Sequence, residues 1–200
     1  AALDLPREQY NSKDFTKNSP SELLLYTEGL GMPIRKDRTV GTGGGVAIYV
    51  RDNLPCTHRA DLESANSECL WVEFRLKFGL VLLGVYYRPP GQYAADRDLF
   101  IDELDLSITT ALECNPKTLI ITGDFNDRCQ SWNTDHSDSD LGLRLVNVLS
   151  QNNLFQLINE PTRVNNVSES LLDLMITDSP GYVLNSGILP PISTSDHSVV

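Results

Sequence analysis

Gly123-Asp124-Phe125-Asn126 places a carboxylate and an amide two residues apart, directly after the apolar run Thr118 to Thr122. Side chains two apart on an extended chain leave on the same side. A carboxylate there can accept a proton from water or hold a divalent cation, and an amide can orient a phosphoryl oxygen. The same four residues also suit a turn in which the Asp satisfies its own backbone. At the other end of the chain, Ser195-Asp196-His197, at the mouth of a short strand read at Ser198-Val199-Val200, sets an imidazole, which exchanges protons near neutral pH, beside a carboxylate able to shift its pKa. Asp173 lies within the apolar run Leu171 to Thr177, where a carboxylate without a partner is costly. Pairing it with His197 would give an oriented base, and capping a neighbouring loop is the structural alternative. Tyr87 and Arg88 close the apolar run Leu80 to Tyr87 with a phenol and a guanidinium, both able to reach phosphate oxygens or to pack at a strand end.

These residues need strand ends to hold them. GVAIYV (Gly45 to Val50), CLWVEFRL (Cys69 to Leu76), LVLLGVYY (Leu80 to Tyr87), TLIIT (Thr118 to Thr122) and LLDLMIT (Leu171 to Thr177) are short, rich in β-branched and aromatic residues, and bounded by Gly, Pro, Asn and Asp, as buried strands are. Between Tyr93 and Cys114 the spacing of Phe100, Leu104, Ile108 and Leu112 predicts an amphipathic helix, and Leu141 to Leu149 predicts a second. Leu23 to Tyr26 (LLLY) is a further apolar run, and residues 1 to 22 read as an irregular segment. Strands first and alternation with helices later predict an α/β (α+β) domain with helices packed on sheets over residues 23 to 200.

The chain has 200 residues, 40% of them hydrophobic, which suits one domain with a core of its own. Its 27 acidic and 16 basic residues give a formal charge of −11, which argues against a broad basic face for nucleic acid. Contact with nucleic acid must then be local or bridged by a cation, and Arg88, Arg128, Arg144 and Arg163 are candidates for a local phosphate track. No run approaches the roughly 18 apolar residues of a spanning helix, and residues 1 to 20 lack a signal-peptide core, so the reading is an intracellular protein without membrane attachment. Cys56, Cys69, Cys114 and Cys129 form no C-x-x-C pair and read as reduced and structural.

Taken in order, GGGVAIYVRDNL, ECLWVEF, GVYYRPP, LIITGDFN, EPTR, SLLDLMITD and SDH resemble the endonuclease/exonuclease/phosphatase superfamily. The likeness is to the apurinic-like endonuclease domain of non-LTR retrotransposons of the jockey and chicken-repeat type. It implies a two-sheet β-sandwich flanked by helices in four layers, with N-terminal strands incomplete and the domain truncated at both ends. It also implies Mg²⁺-assisted, or Mn²⁺-assisted, attack of water on a phosphodiester of DNA, nicking a target for a reverse transcriptase joined outside this chain. A nuclear location follows if the substrate is chromosomal.

Residue by residue, the resemblance makes Asp124 the carboxylate that positions the water and Asn126 the amide on the scissile phosphate. His197 becomes the imidazole on that phosphate, Asp173 the carboxylate that orients it, and Tyr87 a phenol on phosphate or metal. Glu28, in LLLYTEG, and Asp196 become metal ligands, and Arg88 and Thr162 of EPTR become DNA contacts. Two other readings stand beside this one: a catalytically inactive remnant of the same domain, and a phosphomonoesterase or lipid-head-group phosphatase of the same superfamily.

Overall fold

A computed structural model of the chain describes residues 29–38, 44–91, 93–129, 131–132 and 139–200. The opening run Leu23 to Tyr26, the segment 1 to 22 and Glu28 lie outside the described residues, as does the Asp135-His136 dipeptide. The centre is a six-stranded sheet in the order β3 (Thr57–His58), β4 (Glu68–Leu76), β5 (Gly79–Tyr87), β6 (Thr118–Asp124), β10 (Asp173–Thr177), β7 (Phe155–Gln156). β5 and β6 run parallel and every other neighbour is antiparallel. A parallel neighbour demands a long crossover, and α1 (Ala94–Glu113) supplies it. α2 (Asp140–Gln151) follows β6, its N-terminus capped by the Ser139 hydroxyl, which accepts from the Gly142 amide at 2.8 Å. Both helices fall where the apolar spacing predicts them.

The apolar strands read as continuous hydrophobic runs because the sheet is covered on both faces. One face presents Cys69, Trp71, Leu82, Tyr86, Leu119, Ile121, Leu174 and Ile176 to Phe100, Leu104 and Ile108 of α1 and to Leu141, Leu145 and Leu149 of α2. The Tyr86 hydroxyl, inside this core, accepts from Trp71 Nε1 at 3.1 Å and donates to Ser107 Oγ of α1 at 2.9 Å, so the buried polar tips satisfy one another. The other face carries Leu70, Val72, Phe74 and Val81, packed against Ile34, Val46 and Ile48 of the ladder formed by β1 (Ile34–Asp37) and β2 (Gly45–Ile48). A last ladder joins β8 (Arg163–Val164) to β9 (Glu169–Ser170). The architecture is the expected mixed α/β sandwich with helices outside. Among the described residues, the β1–β2 ladder covers the second face of the central sheet, the β8–β9 ladder is a separate two-stranded sheet, and both helices lie on the first face.

Two local expectations change. The run Leu171 to Thr177 joins the ladder only from Asp173, because the amides of Leu172 and Asp173 both donate to Thr162 Oγ1, at 3.0 and 2.9 Å. Asp173 therefore opens its strand instead of lying inside it. The terminal Ser198-Val199-Val200 forms an isolated bridge from Val199 to Leu189, not a strand of its own.

Candidate active site

Three strands end or begin side by side. Asp124 is the last residue of β6, Asp173 the first of β10, and the two are register partners. Tyr87, the last residue of β5, is the register partner of Asp124 on the other side. Partners in register share a face, here the one that carries Val81, Leu83 and Val85, away from the helices. His197 arrives from the far end of the sequence, and its Nδ1 lies 2.8 Å from Asp173 Oδ2. One ligand atom from each of Asp124, Asp173 and His197 lies within 4.8 Å of the other two. With side chains 15% and 25% exposed, Asp173 and His197 are shielded yet reachable.

Asn126 holds Asp124 in place. Its backbone sits at φ +49°, its amide N–H donates to Asp124 Oδ1 at 2.9 Å, and its side-chain Nδ2 donates to Asp124 Oδ2 at 2.7 Å and to the Arg88 carbonyl at 3.0 Å. The self-satisfying turn and the chemical constellation are one structure. Burial, then the negative charge of Asp173, pushes Asp124 up to about 6, and the hydrogen bonds from Asn126 and the field of His197 oppose this.

Arg88 is buried, at 4% exposure. Its Nε donates to the Phe125 carbonyl at 2.6 Å and its Nη2 to the Asn126 carbonyl, so it fastens the turn after β6 from below and cannot reach a substrate. Burial lowers its pKa. Thr162 is fully buried and spends its hydroxyl on the two amides at the head of β10, so the expected DNA contact becomes a support for Asp173. Asp196 stands outside the three-residue cluster. Its exposed carboxylate accepts from Arg163 Nε at 2.7 Å, which holds its carboxyl below the usual range. Tyr87 packs beneath the Arg38 guanidinium, 5.7 Å from the ring centroid, and borders a cavity of about 400 Å³ with Arg38, Ser67 and Pro89. Of the four phosphate-track candidates, Arg144 ties α2 to Asp98 and Asp102 of α1 and Arg88 is interior, while Arg128 is exposed and Arg163 is part-exposed.

The donor set suits a hard divalent cation. Asp124 and Asp173 offer carboxylate oxygens side by side, and each Asp124 oxygen accepts a single hydrogen bond among the described residues, which leaves lone pairs for a cation. Sequence reading missed Thr162 as a support and the Arg163–Asp196 and Arg38–Glu68 pairs, the latter at 2.6 Å. Residues 30 or more apart leave no spacing signal.

The profile of a family described as endonuclease-reverse transcriptase matches residues 81–200. The chain belongs to that family. The matched span of the endonuclease-reverse transcriptase family contains Tyr87, Asp124, Asn126, Asp173 and His197. Among solved structures, the endonuclease domain of TRAS1, a telomere-specific non-LTR retrotransposon, is similar at TM-score 0.59 and 22% identity over 76% of this chain and 68% of that one. An endonuclease/exonuclease/phosphatase family protein from Leptotrichia buccalis C-1013-b is similar at TM-score 0.50 and 16% identity, over 76% of this chain and 61% of that one. These likenesses establish the fold. No curated protein sequence matches the chain.

Proposed function

We propose that this domain is a divalent-cation-dependent DNA endonuclease of a non-LTR retrotransposon. It hydrolyses a phosphodiester of target DNA in the nucleus, and the nick primes a reverse transcriptase joined to it outside this chain. The observation that carries the reading is the convergence of Asp124, Asp173 and His197 at one sheet end, with His197 Nδ1 bound to Asp173. Membership of the endonuclease-reverse transcriptase family supports it, and no helix among the described residues is long and apolar enough to cross a membrane.

Asp173 fixes the tautomer and orientation of His197, which leaves Nε2 to hold a proton toward a phosphate oxygen. Asp124, fixed through both oxygens by Asn126, is placed to orient a water or take its proton. Mg²⁺ or Mn²⁺ bound by Asp124 and Asp173, with Glu28 as the further carboxylate, would compensate charge that develops on the phosphate and leaving oxygen. Conversion of supercoiled plasmid to open circles at millimolar Mg²⁺, with loss of conversion in EDTA, is the expected result. A folded protein that nicks nothing under either condition overturns the reading in favour of an inactive remnant.

A further inference from the structure

Arg163 stands beside His197 for a reason set by strand pairing. The two residues form an antiparallel bridge, flanked by the Ser198 amide donating to the Thr162 carbonyl at 2.6 Å and the Val164 amide donating to the Asp196 carbonyl at 3.1 Å. Hydrogen bonds on both sides of a pair, and none within it, mark the non-hydrogen-bonded type, whose side chains approach most closely. β9 pairs with Arg163 on its other edge, so its backbone is held from both sides. The preceding residue, Thr162, anchors the head of β10 and hence Asp173. One dipeptide therefore supports the site from below and places a guanidinium at its rim.

That guanidinium is 40% exposed, and its one ion-pair partner among the described residues, Asp196, is 46% exposed. The bond to Asp196 uses Nε, and among the described residues neither Nη nitrogen has a hydrogen-bond partner. An exposed ion pair of this kind contributes little stability. It does fix where the guanidinium fork points. The molecule carries a formal charge of −11, so a polyanion held at this rim needs cations at the point where the cluster of two carboxylates would otherwise repel it.

We infer that Arg163 is a phosphate-binding residue of the site, and that Asp196 positions it. The ligand is a backbone phosphate of the nucleic-acid strand next to the one facing His197, gripped by the two Nη donors. The inference rests on the nuclease reading for its substrate, yet binding can be read apart from cleavage.

The test is fluorescence anisotropy of a labelled DNA duplex titrated with the full chain in EDTA, across a series of salt concentrations. Arg163→Ala is expected to raise Kd about tenfold and to flatten the dependence of log Kd on log salt by about one contact. Arg163→Lys is expected to keep the slope, which separates lost charge from a disturbed strand. Asp196→Asn, which keeps the charge of Arg163 but loosens the hold on its fork, is expected to keep the slope and to raise Kd by less than Arg163→Ala does; an unchanged Kd overturns the positioning role of Asp196. An Arg163→Ala slope equal to the parent's overturns the assignment, as does an Arg163→Lys slope as flat as that of Arg163→Ala. A parent that binds DNA but does not nick overturns the nuclease reading while the slope still decides Arg163. A parent that binds no DNA overturns both.

Discussion

His197 and Asp173 differ in what their loss removes. His197→Ala deletes the proton-carrying ring, and a general acid or base typically contributes about 10² to 10⁴ in rate. Asp173→Asn leaves the ring and an amide oxygen in place, weakening the orientation of His197 and one cation contact without removing the proton carrier, so nicking should fall less in Asp173→Asn than in His197→Ala, as read from initial rates on supercoiled plasmid. Asp124 adds a pH dependence. Its folded pKa of about 6 lies above the unfolded carboxylate range. Between about 4 and 6 the folded state therefore holds a proton that the unfolded state has released, and stability from this group falls as pH rises through that window. In EDTA, the stability of Asp124→Asn relative to the parent should rise from pH 4 to pH 6 and then level off, as measured by urea unfolding at several pH values. A difference that stays flat across the window would contradict the burial and Asp173 repulsion described above.

At the scale of elements, the contact between β5 and β6 depends on Gly123. It lies at φ +142°, and a Cβ there would stand 1.8 Å from the Tyr86 carbonyl oxygen. No side-chain rotation relieves a clash with backbone, so Gly123→Ala must push apart the strands that place Tyr87 and Asp124 in register. It should cost at least about 2 kcal/mol in chemical denaturation and abolish nicking in whatever fraction remains folded. Arg88 acts on the same junction from inside, by binding the two carbonyls that follow β6.

For the molecule as a whole, stability rests on a sheet buried from both sides and not on covalent staples. Cys56, Cys69, Cys114 and Cys129 form no disulfide, and Cys69 and Cys129 are buried. A reducing agent should therefore leave the melting temperature unchanged, as followed by circular dichroism, whereas a disulfide would have made it fall. The negative charge is also unevenly spent. Glu68 and Asp196 each hold a cation, Arg38 and Arg163, while Asp98 and Asp102 join the helices through Arg144.

The strands that carry the site were legible as short apolar runs, because burial on both faces of a sheet makes a strand continuously apolar, and both helices were legible from spacing, because burial of one face imposes a repeat. The types at Asp124, Asn126, Asp173 and His197 were legible for a related reason: carboxylate, amide and imidazole interrupt apolar runs or close them. The roles of Arg88, Thr162 and Asp196 were not. Each was assigned outward, toward DNA or metal, from its motif, whereas the fold turns Arg88 and Thr162 inward and gives Asp196 to Arg163. What decides those roles is which donors and acceptors lie within about 3 Å. Only the tertiary structure set those neighbours, because strand register joins residues that the sequence holds 10 to 37 positions apart.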